Sequence, residues 1–189
     1  MADEPTCTLS IFSAGDIASH LHELSALLHD CVHAGASIGF VLPCAMDDCQ
    51  AFWQGKVLPA VRDGGLLLVV AWQHGRIAGA GQLDCNTPAN QPHRAEVRKV
   101  MVHPGFRRRG IAKTLMTELE GLASQRGRSL LTLDTRTGDK AEPLYASLGY
   151  LIAGVIPGYC RDTFDGGRLD STTIMYKALT SPDLPNSPM

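Results

Sequence analysis

The sequence predicts a mixed α/β protein in which strands and amphipathic helices follow one another along 189 residues. Two patterns support this class. Continuous apolar runs, such as 66–72, are typical of strands that are covered on both faces. Apolar residues that recur every three or four positions, as in 111–123, are typical of helices with one buried face. We expect one domain at 7–179, between a lead-in at 1–6 and a flexible tail at 180–189.

The predicted elements rest on end signals as well as on periodicity. Ser13 and Asp16 have the spacing of a helix-capping box, and so do Asp139 and Glu142. Pro59 is expected to kink or shorten the second helix. In chain order, the elements are a strand at 7–12, helices at 13–35 and 47–62, strands at 66–72, 77–83 and 95–102, a helix at 111–127, a strand at 129–134, a helix at 139–149, and strands at 150–156 and 172–179.

A basic turn between a strand and a helix is the most informative feature. The strand 97–102 leads into 103–110, which holds three consecutive arginines and two glycines, and a helix with an apolar face begins at Ile111. The first amides of a helix have no partner within it and lie at the positive end of its dipole. The turn therefore predicts a cradle for phosphate groups. It has neither the Gly-Lys-Ser/Thr of a Walker loop nor the three glycines of a dinucleotide fingerprint.

Arg107-x-x-Gly110-x-Ala112, in this strand-turn-helix context, resembles the pyrophosphate-binding signature of the GNAT acetyltransferases. The resemblance implies acetyl-CoA as cosubstrate. It also implies a mixed, mostly antiparallel sheet of about seven strands with helices on both faces, whose two central strands splay apart to admit the cofactor. The residues that it assigns to acetyl-CoA binding are Val100, Met101, Val102, Arg107, Arg108, Arg109, Gly110, Ile111 and Ala112.

The segment 144–150 matches a second motif of the same family, in which a leucine and a tyrosine precede a glycine and an aromatic residue. The match implies that Tyr145 gives a proton to the departing thiolate of coenzyme A. The chemistry is suitable, because the phenol's reference pKa of about 10 is near that of an alkyl thiol. The alternative is that Tyr145 is a helix residue that packs against the sheet.

Two carboxylates are candidates for binding or deprotonating the amine acceptor. Glu96 occupies the position of the glutamate base in many GNAT enzymes; the alternative is a strand-end carboxylate that pairs with Arg94 or Arg98. Asp134, at the end of the neighbouring strand, could be a second base or a ligand for the substrate ammonium. Where many relatives carry an asparagine that holds the pantetheine arm, this chain has Thr135, Thr137 and Asp139.

Several loops resemble a narrower group within the family, the tabtoxin-resistance acetyltransferases, which acetylate the α-amine of a β-lactam amino-acid toxin. These segments are 34–40, 94–102, 133–135 and 157–160. The resemblance implies direct transfer, in a ternary complex, to a small amino-acid-like amine such as tabtoxinine-β-lactam. The alternatives are a protein or peptide amine acetyltransferase and a CoA-binding regulatory module without catalysis.

Composition narrows the other classes of function. The net charge of −2 gives no global support for binding nucleic acid or an anionic membrane. No apolar run has the length of a membrane span, and the N-terminus lacks the pattern of a signal peptide. The six cysteines are scattered without a Cys-x-x-Cys pair, which favours reduced thiols in a cytoplasmic protein. The sequence leaves a monomer and a homodimer open.

His29 and His33 lie four residues apart, so they share a helix face and could hold zinc. A zincin-like motif would need a glutamate after the first histidine, but Asp30 stands there, and it would also need a third ligand. The other interpretation is a polar flank near the end of a helix, where partly charged histidines suit the dipole. We therefore expect no metal.

Overall fold

Seven strands form one mixed sheet in the computed structural model, which describes residues 7–179. The strands are β1 (Thr8–Phe12), β2 (Leu66–Gln73), β3 (Arg76–Asp84), β4 (Arg94–Val102), β5 (Leu130–Arg136), β6 (Leu151–Arg161) and β7 (Leu169–Ala178). The helices are α1 (Ala14–Ser19), α2 (Leu21–His33), α3 (Met46–Phe52), α4 (Leu58–Arg62), α5 (Ile111–Gln125) and α6 (Ala141–Ser147). The expected lead-in and tail lie outside the described residues.

The strand order is β1-β2-β3-β4-β5-β7-β6, and β4 and β5 are the parallel neighbours in this sheet. Their pairing is short, since it runs from Arg94 opposite Leu130 to Glu96 opposite Thr132. Beyond that point β4 continues to Val102 without pairing to β5, so the sheet opens between them. The predicted fold, mostly antiparallel with a splayed central pair, is confirmed.

Helices cover both faces of the sheet and create two hydrophobic cores. On one face, α5 buries its apolar stripe, with Leu115 and Leu119 fully enclosed. The approach is close: a Cβ added to Gly81 of β3 would lie 3.0 Å from the Leu119 side chain. On the other face, α2 and α3 pack around Leu28 and Trp53, which are also fully buried. The two cores hold the sheet rigid around its central opening.

A bulge interrupts β4 immediately beside this opening. Ala80 of β3 pairs with Met101 and Gln82 pairs with Arg98, so two residues of β4 oppose one residue of β3. One of the two is Lys99, whose φ of 50° places it in the left-handed region, which few non-glycine residues adopt. A bulge re-aims side chains, and here it lies next to the gap between β4 and β5.

Three expectations about the elements need correction. The predicted helix 13–35 is two helices, because the backbone breaks at His20 (φ −111°, ψ 25°). The predicted helix 47–62 contains a π-helical segment, Trp53–Val57, before Pro59 enters α4. The wider π-helical turn accommodates Pro59, so the helical segment continues into α4. Finally, β6 and β7 extend into 157–170, which we expected to be a loop.

The capping box at Ser13 is confirmed. The Asp16 amide donates to Ser13 Oγ at 3.2 Å, and the Ser13 amide donates to Asp16 Oδ2 at 2.8 Å. These two bonds satisfy backbone donors that the helix itself leaves unpaired. No helix in the described part of the chain is long and apolar enough to cross a membrane.

Candidate active site

A cleft of about 890 Å³ lies where β4 and β5 separate. Its walls come from four parts of the chain: the loop 34–39 after α2, β4 from Glu96 onwards, the turn 106–113 that leads into α5, and the ends of β5 and β6 with α6. The cleft therefore joins the basic turn to the acidic strand ends that the sequence singled out.

The start of α5 closes one end of the cleft and is open to an anion. Gly110 precedes the helix with a φ of 79°, and no side chain caps it. The first hydrogen bond of the helix runs from the Thr114 amide to the Gly110 carbonyl at 3.0 Å. The amides of residues 111–113 consequently have no acceptor within the helix. Together with the helix dipole, these donors form a site for a phosphate group.

The three consecutive arginines divide between two directions. Arg107 and Arg108 line the cleft. Arg109 does not line it: its Nη1 lies 3.3 Å from Gln73 Oε1, and its guanidinium lies 5.5 Å from the centre of the Phe106 ring. Of the three arginines, the first two therefore add basic charge to the cleft, while Arg109 fastens the turn to the end of β2.

His103 holds the same turn from the other side. The Gly105 amide donates to its Nδ1 at 3.0 Å, so the neutral ring must carry its proton on Nε2. That nitrogen faces Asp30 Oδ2 of α2 at 3.1 Å. The contact ties the basic turn to α2 and fixes its position before α5 begins.

Glu96 lies at the point where the sheet opens. It forms the last parallel backbone pair with Thr132, and Asp134 is two residues further along β5, on the same face as Thr132. Both acids line the cleft. The Glu96 carboxylate is 39% exposed, 3.8 Å from Arg98 Nε and 4.0 Å from Arg94 Nη1. Ion pairs at these distances are loose, so the carboxylate remains accessible to a ligand.

Asp134 has one hydrogen-bond donor in its surroundings. The Thr172 hydroxyl lies 3.2 Å from Asp134 Oδ2 and 3.0 Å from the Thr135 carbonyl. Of the three residues at the usual asparagine position, Thr135 and Asp139 line the cleft. Thr137 lies outside it, where its hydroxyl is 3.0 Å from that of Thr173.

Tyr145 extends from α6 to the cleft and is 8% exposed. Burial, followed by the charges of Asp134 and Asp139, raises the pKa of its phenol to about 12. The phenol is therefore protonated at neutral pH, as a proton donor must be. The same contributions show that Tyr145 is electrostatically coupled to the acid at the end of β5.

The predicted capping box at the start of α6 is wrong. The cap residue Lys140 has no side-chain bond to the helix, and Glu142 Oε2 instead accepts from the Gly138 amide at 2.9 Å. Asp139 turns to Arg136 Nη2 at 3.2 Å. Its other oxygen, Oδ1, accepts from the Lys140 amide at 2.6 Å, so Asp139 joins Arg136 to the start of the helix without the reciprocal bond to Glu142.

Sequence reasoning did not identify two residues of the cleft, Lys99 and Arg136. Lys99 lies in the β4 bulge, and its Nζ would be 2.9 Å from a Cβ added to Gly39. Arg136 Nη2 donates to the Gly35 carbonyl at 3.2 Å. One signal was available for Lys99, which is a charged residue between the apolar positions of a central strand.

Three aromatic residues, Tyr159, Trp53 and Phe40, differ in their relation to the cleft. Tyr159 lines the cleft. Trp53 is fully buried, and its Nε1 donates to the Leu24 carbonyl at 3.0 Å. Phe40 packs edge-on against Phe52, with ring centres 5.4 Å apart, and does not line the cleft.

The histidine pair in α2 is also placed. The rings of His29 and His33 stack with centroids 3.9 Å apart, and His33 Nδ1 lies 2.9 Å from the His29 carbonyl. Across residues 7–179, no three His, Cys, Asp or Glu side chains come together in a group that could hold a metal ion.

The basic turn, the open strand pair and the acids beside it define an acyltransferase of a known type. The sequence profile of the Acetyltransferase (GNAT) family matches residues 23–150. The chain belongs to this family.

Individual relatives agree with this assignment. An uncharacterized N-acetyltransferase of the hisH-hisA intergenic region of Azospirillum brasilense is 30% identical over 145 residues, which are 76% of this chain and 82% of the relative. Two solved structures share the fold. A phosphinothricin acetyltransferase from Sinorhizobium meliloti in complex with acetyl-CoA has a TM-score of 0.73 at 19% identity, covering 92% of this chain and 89% of that one. A ribosomal-protein-alanine N-acetyltransferase from Brucella melitensis has a TM-score of 0.72 at 22% identity, covering 91% and 99%.

Proposed function

We propose that this chain transfers the acetyl group of acetyl-CoA directly to the amine of a small amino-acid-like molecule, within a ternary complex. One observation supports the proposal most. Glu96, Asp134 and Tyr145 line a single cleft, and the uncapped start of α5 closes one end of it. An anion cradle, acids and a protonated phenol are the groups that amine acetylation by a phosphorylated thioester requires.

The residues present fit acetyl-CoA. The amides of 111–113, with Arg107 and Arg108, suit its pyrophosphate. Val100, Met101 and Val102 line the cleft beyond the last β4–β5 pair, where β4 has no neighbour on that side. The backbone of this segment is therefore available to the amide groups of the pantetheine arm. Arg109 contributes to the cradle indirectly, through its hold on the turn.

When bound, acetyl-CoA supplies the acetyl group as a thioester. In our proposal, Glu96 accepts the proton of the incoming ammonium, directly or through a water molecule, so that the nitrogen can attack as a neutral amine. Asp134 binds the same ammonium or shares the proton. Tyr145 gives its proton to the leaving sulfur, and its raised pKa keeps that proton in place until it is needed.

The proposed acceptor is small for a structural reason and for a sequence reason. The loop 34–39 and Tyr159 line the same cleft as Glu96 and Asp134, and its volume of about 890 Å³ must hold both the cofactor and the acceptor. The same loop is among the segments that resemble the tabtoxin-resistance acetyltransferases. Tabtoxinine-β-lactam is therefore one specific acceptor that we include in the proposal. We further propose that the enzyme works in the cytoplasm as a monomer or homodimer.

The test follows thiol release from acetyl-CoA with a thiol reagent. The acceptor panel holds the common amino acids, tabtoxinine-β-lactam and short peptides with free N-termini. Saturable turnover with a small amino acid or with the lactam would support the proposal. Turnover with peptides alone would move the acceptor to proteins. Binding of acetyl-CoA without transfer to any amine would overturn the proposal in favour of a non-catalytic CoA-binding module.

A further inference from the structure

Lys99 places a cation inside the cleft, away from the phosphate cradle. The bulge in β4 aims it there, with a φ of 50° that a lysine adopts only where the surroundings hold it. Its Nζ lies beside Gly39, in the loop opposite β4. Because a Cβ on Gly39 would stand 2.9 Å from that nitrogen, the glycine leaves the space that the ammonium occupies.

The Lys99 ammonium is unpaired within the described part of the chain. Among residues 7–179, it makes no hydrogen bond, and no carboxylate oxygen lies within 4.0 Å of it. Two other cations that line the cleft are paired with carboxylates. Arg98 binds Asp84 Oδ2 at 2.8 Å, and Arg136 binds Asp139 Oδ2 at 3.2 Å. A partly buried charge without a partner is costly, unless a ligand supplies one.

The charges around Lys99 are arranged asymmetrically. Burial, followed by Arg98, lowers the pKa of Lys99, while Asp134 and Glu96 act in the opposite direction. The two acids are therefore near enough to interact with it, although neither forms an ion pair with it. Glu96, Asp134 and the Lys99 ammonium therefore belong to one part of the cleft lining, and together they complement a zwitterion.

We infer that Lys99 binds the carboxylate of the acceptor, so that the substrate is a free amino acid with its amine directed at Glu96 and Asp134. This inference rests on the proposed function and narrows it. Peptide N-termini and simple amines lack the carboxylate that a free amino acid carries beside its α-amine. The Lys99 charge also favours the neutral form of an amine held nearby, because like charges lower the pKa of an ammonium.

The experiment compares Lys99→Met with wild type on two acceptors, an amino acid that the wild type acetylates and its carboxamide. We expect KM for the amino acid to rise about 10- to 100-fold, as for the loss of a charge-assisted hydrogen bond, and KM for the carboxamide to change less than about 3-fold. Lys99→Arg should recover part of the preference for the amino acid over its carboxamide. Arg62→Met removes an exposed cation outside the cleft and should match wild type on both acceptors.

Other outcomes are equally informative. Equal losses on the amino acid and the carboxamide, or a wild type that prefers the carboxamide, would overturn the role of Lys99 while leaving the enzyme an N-acetyltransferase. If wild type releases no thiol from acetyl-CoA with any of the amines, the proposed function itself would be overturned. Coenzyme A binding by Lys99→Met at wild-type affinity shows that the variant is folded and that its cradle is intact.

Discussion

Arg136 Nη2 donates a hydrogen bond of 3.2 Å to the carbonyl oxygen of Gly35, and this bond joins the end of β5 to the loop after α2. The same guanidinium lies 3.2 Å from Asp139, 3.5 Å from Asp162 and 3.7 Å from Asp170. One side chain therefore connects the loop, the start of α6 and the ends of β6 and β7. These are the segments that surround the proposed acceptor site.

Replacement of this side chain by Arg136→Met should weaken the acceptor site and leave the cofactor site intact. We expect KM for the amine to rise about 10-fold and the free energy of unfolding to fall by about 1–3 kcal/mol, since a partly buried donor with charged partners is lost. KM for acetyl-CoA should stay near its wild-type value. Steady-state kinetics and urea unfolding measure these effects.

Arg168→Met is the matched control, because Arg168 also contacts Asp162 but its side chain is 60% exposed and does not reach the loop. Arg168→Met should change KM for the amine and the free energy of unfolding less than Arg136→Met does. A larger effect on KM for acetyl-CoA than on KM for the amine, in Arg136→Met, would contradict the connecting role.

Glu96→Gln tests the proposed base. We expect kcat/KM for the amine to fall about 10²- to 10⁴-fold near neutral pH, because the amide cannot accept the ammonium proton. The loss should shrink as the pH rises, since a larger share of the amine is then already neutral. Glu118→Gln, on α5 outside the cleft, provides the control. Activity close to wild type in Glu96→Gln would assign the base role to Asp134, and Asp134→Asn would then carry the large loss.

The parts of the site that could be predicted from sequence depend on local signals. The phosphate cradle is one stretch of chain, in which glycine, arginines and the first amides of a helix are neighbours. Tyr145 likewise lies in a short motif within its helix. Glu96 was assigned from its resemblance to the glutamate base of GNAT enzymes, and Asp134 from its place at the end of the neighbouring strand. The parallel register of β4 and β5 brings the two positions near each other.

The rest of the site depends on contacts between distant segments. Arg136 and Gly35 are 101 residues apart, so no spacing rule could pair them. Asp139 and Glu142 were assigned to a capping box from their spacing, but Asp139 Oδ2 accepts from Arg136 and Glu142 accepts from the Gly138 amide. The bulge at Lys99 arises from the register between β3 and β4, which the residues of β4 alone do not encode. The π-helical segment before Pro59 escaped prediction because a wider helical turn keeps the same apolar periodicity over a few residues.

The cofactor cradle can be tested with two glycines of the same region. Gly110 precedes α5 with a φ of 79°, where an L side chain is strained by about 1 kcal/mol or more. Gly110→Ala should therefore shift the turn and raise KM for acetyl-CoA about 10-fold, with a smaller effect on KM for the amine. Gly121 lies within α5 in open space, so Gly121→Ala should stabilise the protein by about 0.5–1 kcal/mol and leave both KM values unchanged. Wild-type affinity of Gly110→Ala for acetyl-CoA, measured by calorimetry, would exclude this turn as the cradle.

Tyr145→Phe tests the proposed proton donor. We expect kcat to fall about 10²-fold or more, with little change in KM for acetyl-CoA, because the phenol acts on the leaving sulfur after binding. Since the phenol pKa is raised to about 12, its ionisation should not reduce wild-type activity between pH 7 and pH 10. Tyr159→Phe removes another phenol that lines the cleft and should retain most of kcat. Equal losses in the two variants would argue against a specific role for Tyr145.

The buried phenol of Tyr145 should also make stability depend on alkaline pH. Its pKa is raised from 10.0 to about 12 in the folded protein, so the folded state holds the proton more tightly than the unfolded state. The resulting stabilisation is fully present below pH 10 and is lost as the pH rises from 10 to 12. In urea unfolding, the free energy of unfolding of wild type should fall by up to about 1.4 kcal/mol per pH unit more than that of Tyr145→Phe over this range. Tyr150, whose pKa is raised first by burial, is present in both proteins, so the part of its contribution that comes from burial is common to the two curves. Parallel curves for the two proteins would show that the Tyr145 phenol is not held in the protonated form that the mechanism requires.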